Sequence, residues 1–185
     1  MGIDVTSLDI ADVKIIKAPK VSDHRGFFSE VYNSRGFASA GIDIDFVQDN
    51  HSRSAEKGTV RGLHFQTSPF AQDKLVRVVR GAVFDVAVDL RRGSPTYGKH
   101  VSAIISAEEW NQVLVPIGFA HGFMTLEPDT EVIYKVSEYY APHHEKGLLW
   151  NDTDLAIEWP WVTDAILSDK DRKQPRLSEL VSPFA

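Results

Sequence analysis

Cysteine is absent from this chain, which excludes disulfides and thiolate chemistry. No apolar stretch approaches the ~18 residues that a membrane span requires, and no apolar run follows a basic start as in a secretory leader. A soluble, cytoplasmic protein is the expectation. Positive charge is also short: 20 Lys and Arg against 26 Asp and Glu leave a net charge of −6, a poor match for nucleic acid. An anionic small ligand would need a local cluster of cations. There is no Gly-x-Gly-x-x-Gly fingerprint for a nicotinamide cofactor. Helical periodicity is scarce, and repeats, low-complexity tracts and linkers are missing. With 185 residues, 43% of them hydrophobic, the chain suffices for one sizeable core, and a single domain over residues 1–185 is expected.

What is present reads mostly as strand. Residues 74–90 (KLVRVVRGAVFDVAVDL) form two β-branched runs around Arg80-Gly81. In the second run Val83, Asp85, Ala87 and Asp89 alternate with Phe84, Val86, Val88 and Leu90, the period-two pattern of a half-buried strand. Further strands are expected over 101–105, 111–115, 121–126 and 131–136. Gly93-Ser94-Pro95, Pro116-Ile117-Gly118, Glu127-Pro128-Asp129 and Ala141-Pro142 supply the turn chemistry between them. A short helix is expected over 34–41, ended by Gly41, with a single turn over 106–110 capped by Ser106 and one or two more turns within 168–180. Short strands at regular spacing predict an all-β sandwich or barrel of the jelly-roll kind. The Pro- and Trp-rich piece over 157–161 is expected to pack against that barrel.

The stretch Arg61-Gly62-Leu63-His64-Phe65-Gln66 is the most informative. The β-barrel superfamily called cupins carries a metal-site pattern of Gly, five residues, His-x-His and a nearby Glu, then Pro-x-Gly-x-x-His. This chain matches the scaffold with Gly58, His64, Pro116, Gly118 and His121, but not the ligands. Gln66 replaces the second histidine, and Asp73 is the sole carboxylate between Gln66 and Gly81. Two histidines fall short of the three or more protein ligands that such sites normally use, so no metal is expected. His143-His144-Glu145 reads as a loop after Pro142.

Without a metal, His64 is a candidate general base, since an imidazole can accept a proton near neutral pH. It needs an orienting partner, and Asp171 is a possible one. The plainer alternative is a core histidine bonded to backbone. Lys74 and Arg61 flank the same strand pair; a buried lysine calls for an anion, whereas a strand-end lysine would be solvated. Arg25, beside Phe27 and Phe28, suits phosphate oxygens, or else is a turn arginine. Gln48-Asp49-Asn50 can read a base or sugar edge, or else ends a strand. Tyr134 can donate a proton and Tyr140 can stack on a base, although tyrosines more commonly sit half in a core.

Together these residues closely resemble one family, the dTDP-4-dehydrorhamnose 3,5-epimerases. The matching segments are DHRGFFSEVY (23–32), FVQDNHSRS (46–54), KGTVRGLHFQ (57–66), AQDKLVRVVRGAVFDVAVDLR (71–91), GSPTYGKH (93–100), VPIGFAHGF (115–123), YKVSEYYAP (134–142) and LSDKD (167–171). The resemblance implies a cupin-type double-stranded β-helix that uses neither metal nor cofactor and is usually a homodimer. It implies that His64 is the base, Asp171 its orienting carboxylate, Tyr134 the acid on the opposite face of the sugar, and Lys74 the cation on the C4 oxygen. It further implies ligand contacts from Arg25, Phe27, Glu30, Gln48, Asp49, Asn50, Arg61, His121, Glu145 and Lys170, with Tyr140 stacking on thymine. The implied reaction turns dTDP-4-dehydro-6-deoxy-D-glucose into dTDP-4-dehydro-L-rhamnose, for dTDP-L-rhamnose and surface polysaccharide such as lipopolysaccharide. Relatives that invert one centre, a silent sugar-nucleotide-binding cupin and a metal-dependent cupin oxygenase are the competing readings.

Overall fold

Alternating and β-branched runs become strands in the computed structural model, which describes residues 2–185. The first five strands are β1 (Asp4–Ser7), β2 (Lys14–Lys17), β3 (Val21–Asp23), β4 (Gly26–Phe28) and β5 (Gln48–Ser54). An α-helix, α1 (Ser34–Ser39), precedes β5. Then come β6 (Val60–Gln66), β7 (Lys74–Arg80), β8 (Ala82–Asp89) and β9 (His100–Ser106). The last four are β10 (Asn111–Val115), β11 (Phe119–Thr125), β12 (Thr130–Val136) and β13 (Glu145–Gly147). Asn33 caps α1 by accepting from the Gly36 N–H, and Gly41, at φ +83°, lies just beyond its end as expected. Ser106 caps the turn after β9 by accepting from the Glu109 N–H at 3.0 Å. Two 3-10 turns, Asp171–Lys173 and Leu177–Glu179, occupy the tail.

The strands form a six-stranded sheet in the order β1-β2-β10-β7-β12-β5 and a five-stranded sheet in the order β13-β6-β11-β8-β9. All their pairings are antiparallel. This is the expected cupin-type jelly roll. The inner faces share one apolar core. Val76, Val78, Val113, Val115 and Val132 from one sheet meet Val83, Ala87, Val101, Ile105, Phe119 and Phe123 from the other. A second cluster covers the outer face of the five-stranded sheet: Leu63, Phe65, Val86, Val88, Leu90, Ala120 and Met124 under Leu148, Trp150, Leu155 and Trp159. Trp159 lies against Phe84 and Trp150, so the Pro/Trp piece packs on the barrel as expected.

That cover corrects one expectation. β8 is not half-buried: Val83, Asp85, Val86, Ala87, Val88 and Asp89 are all at most 2% exposed. Its alternation separates two buried faces, because an irregular tail, which leaves no periodic trace in the sequence, roofs the outer one.

β8 ends in a polar knot. Asp89 accepts hydrogen bonds from Arg91 Nε (2.9 Å) and Nη2 (2.8 Å), and from the hydroxyls of Ser94 and Thr96 (both 2.6 Å). Burial favours the neutral acid, but these bonds outweigh it and hold the carboxyl well below the usual carboxylate range. Arg91 is 28% exposed, so the pair is partly solvated. Replacing Asp89 with alanine, which removes the acceptor of all four bonds, is expected to lower the unfolding free energy by about 3 kcal/mol, read as a drop in the urea midpoint.

Candidate active site

The alternation that builds the core also selects the site residues. On β6, Leu63 and Phe65 point into the outer cluster, so His64 between them faces inward. On β11, Phe119 and Phe123 face the inner core, and His121 lies on the same side. His121 sits directly opposite His64 in the β6–β11 register. On β7, Lys74 precedes the inward Val76 and Val78 by the same period, and on β12 Tyr134 follows the inward Val132. His64 and His121 thus belong to one sheet, Lys74 and Tyr134 to the other. All four line one cavity of about 340 Å3.

Close backbone approach makes this arrangement possible. The β6–β11 ladder shifts register between His121 and Phe123, and Gly62 adopts φ +135° beside the irregularity. A Cβ on Gly62 would lie 2.5 Å from the Gly122 Cα, so a side chain there would push apart the strands carrying the two histidines.

Asp171 reaches the cavity from the first 3-10 turn of the tail. Its Oδ1 lies 2.5 Å from His64 Nε2, and its own N–H donates to Ser168 Oγ at 3.1 Å. Burial would favour the neutral acid, yet the hydrogen bond and charge of His64 hold the Asp171 carboxyl below its ordinary value. An ionised carboxylate only accepts, so His64 Nε2 carries a hydrogen and Nδ1 is the basic nitrogen. Lys74 Nζ donates to the His64 carbonyl at 3.3 Å. Burial lowers the Lys74 pKa to about 8, against the opposing charges of Glu145 and Asp85. Burial likewise raises the Tyr134 pKa; the charge of Arg61 opposes that shift and the charge of Glu145 adds to it. Tyr134 therefore keeps its phenolic proton at neutral pH. Arg61, on the cavity wall, is anchored to Ser54 Oγ and the Arg53 carbonyl, both at 3.1 Å.

A smaller space of about 80 Å3 adjoins the cavity, sharing His64, Lys74 and Tyr134 and adding Asn50, Gln66, Tyr140 and Glu145. Glu145 joins Lys170 (2.6 Å) and the Tyr140 hydroxyl (2.8 Å) at its mouth. Gln48 donates to Asn50 at 2.9 Å and accepts from the Tyr140 N–H at 3.2 Å. Gln66, which stands where a cupin metal ligand would, is a clamp. It donates to the carbonyls of Phe70 (2.6 Å) and Tyr139 (3.1 Å) and accepts from the Ala141 N–H (2.8 Å). Among the described residues no three His, Asp or Glu side chains converge as metal ligands.

Four expected ligand contacts lie elsewhere. Asp49 is on the other face of β5, ion-paired with Lys135 at 2.9 Å. Arg25 and Phe27 belong to the β3–β4 hairpin, which forms its own two-stranded sheet. There Arg25 pairs with Asp23, and Phe27 packs edge-on against Trp110 at 4.7 Å. Glu30 accepts from the Asn33 side chain. The cavity in turn contains residues that sequence reasoning passed over: Ser52, Val60, Phe123 and Ser168. Ser52 continues the Gln48, Asn50 alternation on β5, a signal that would have found it.

Comparison with known proteins agrees with this geometry. A family model described as dTDP-4-dehydrorhamnose 3,5-epimerase matches residues 7–179. The chain is 56% identical over 178 residues to the dTDP-4-dehydrorhamnose 3,5-epimerase of Sinorhizobium fredii, covering 96% of this chain and 91% of that protein. A crystal structure of the enzyme of that name from Bacillus anthracis, with TDP and PPi bound, superposes with a TM-score of 0.92 at 52% identity, covering 95% of this chain and 100% of that one. The Legionella pneumophila dTDP-6-deoxy-D-glucose-3,5-epimerase, in complex with dTDP-4-keto-L-rhamnose, also gives a TM-score of 0.92 at 43% identity, covering 96% and 94%.

Proposed function

This chain belongs to the dTDP-4-dehydrorhamnose 3,5-epimerase family, and from that premise we propose how its cavity works. The protein is an isomerase that converts dTDP-4-dehydro-6-deoxy-D-glucose to dTDP-4-dehydro-L-rhamnose. C3 and C5 of the substrate both adjoin the C4 ketone, so removing either proton gives an enolate with its charge on the C4 oxygen. His64 Nδ1 takes the proton, with Asp171 fixing the ring. Lys74 stabilises the oxyanion as it forms, in a cavity where a fixed cation acts more strongly than in water. Tyr134 returns a proton to the opposite face, which inverts the centre. The observation that supports this most is that base and acid line one cavity from opposite sheets, with Lys74 lining both that cavity and the smaller space that adjoins it.

Gln48, Asn50, Arg61, His121, Glu145 and Lys170 bind the nucleotide sugar, and Tyr140, 56% exposed, stacks on thymine. Arg25, Phe27 and Glu30 join them through a homodimer. Their hairpin exposes Val21, Phe27 and Phe28, and it reaches a cavity by lying over that of a second subunit. Sedimentation at the mass of two chains supports this arrangement, and a monomer at micromolar concentration contradicts it. The whole chain acts as one domain in the cytoplasm, supplying a reductase for dTDP-L-rhamnose and lipopolysaccharide synthesis, without nucleic-acid partners. No helix among the described residues is long and apolar enough to cross a membrane.

Incubation with the 4-keto nucleotide sugar in D2O containing EDTA tests the reading. Proton NMR of the product is expected to show solvent deuterium at both C3 and C5. Deuterium at one centre would identify a mono-epimerase, none would identify a silent binding protein, and loss of activity with EDTA would restore a metal to the mechanism.

A further inference from the structure

Asp85 has no part in the mechanism above, yet it sits where a carboxylate is costly. It is 2% exposed on the inward stripe of β8, between Val83 and Ala87, opposite Phe123 of β11 and Ala103 of β9. A well-packed apolar residue would serve the fold at least as well as a buried ion pair, so packing gives no reason for a charge at this point. Its Oδ2 lies 2.8 Å from His121 Nε2. His121, itself 7% exposed, lines the cavity beside His64. The barrel therefore holds two His–Asp pairs side by side: His64 with Asp171 from the tail, and His121 with Asp85 from the core.

We infer that Asp85 is a positioning residue for the epimerisation: its hydrogen bond to Nε2 fixes the tautomer and orientation of His121, so that Nδ1 accepts from a hydroxyl of the sugar. With Nε2 as the donor in the 2.8 Å bond to Asp85, Nδ1 is left bare as an acceptor. A ring without this anchor is free to flip or to exchange tautomers, and the sugar hydroxyl then meets a donor instead of an acceptor. Asp85 also supports the charge of Lys74, and a loss routed that way would persist without His121.

The inference rests on the epimerase reading, which turnover by the unaltered protein tests separately in the same assay. Asp85→Asn is expected to lower kcat by about 10-fold to 100-fold while KM stays within about 3-fold. His121→Gln is expected to act similarly, and the double variant to be no worse than His121→Gln alone, because both changes break one unit. An Asp85→Asn variant with unaltered kcat, or losses that multiply in the double variant, would overturn the proposal. A readout independent of any variant is the long-range 15N–1H spectrum of His121 in the unaltered protein. It is expected to show Nε2 protonated and Nδ1 bare; the reverse tautomer would overturn the assignment whether or not the variants fold.

Discussion

Replacing His64 with alanine is expected to abolish deuterium uptake at C3 and at C5 together, with kcat falling by about 10³. Both centres are lost because, in the proposed mechanism, one imidazole serves both carbons from one wall of the cavity. Nothing nearby substitutes for it. His121 Nε2 is committed to Asp85 and, on the inference above, its Nδ1 to a hydroxyl of the sugar, while Lys74 is mostly a cation at neutral pH. The fold should survive, since His64 is only partly buried and its side chain supports no core cluster. Calorimetry with dTDP separates chemistry from binding: the dissociation constant is expected to stay within about 3-fold, because the proposed base acts on the sugar and not the nucleotide. Full exchange in the alanine variant would remove His64 from its role.

Lys74→Met is expected to cost about 10² to 10³ in kcat, the usual loss when one donor to a developing oxyanion is removed. Methionine fills similar space and removes a buried charge, so the loss should appear in turnover and not in the unfolding midpoint. The same lysine shapes the pH profile. Burial lowers its pKa to about 8 although the charges of Glu145 and Asp85 pull it upward, so the ammonium predominates below that pH and is lost above it. In the free enzyme kcat/KM should therefore bend downward above about pH 8 and fall about tenfold per further pH unit. The methionine variant should lack this bend. An identical alkaline limb in both proteins would assign it to another group, and Tyr134, whose pKa is raised, would be the next to test.

The sequence carried the fold furthest where side chains alternate against a regular partner. β7 to β12 fall close to the expected positions, because each has a face that must leave water and a turn that ends it. The β8 pattern was legible while its environment was not: alternation reports two different faces, not whether the second is wet. The pairing of His64 with Asp171 joins residues 107 positions apart, and no local pattern encodes it; resemblance proposed it and the 2.5 Å contact exhibits it. The role of Gln66 was half legible. Loss of a metal ligand is visible in the motif, but the loops that the amide holds are visible only in three dimensions. Asp85 lies in the same alternation, and an acid between Val83 and Ala87 on the inward stripe is the kind of misfit that marks a working residue.

The amide of Gln66 has a consequence for the history open to this barrel. It ties three backbone groups on two separate loops with two donors and one acceptor. An imidazole in its place has two nitrogens, and one of them would have to face an ion. Acquiring metal chemistry at this position therefore entails releasing both loops at the same step, so the change is a single codon away on paper but opposed by the loss of all three bonds beside the cavity.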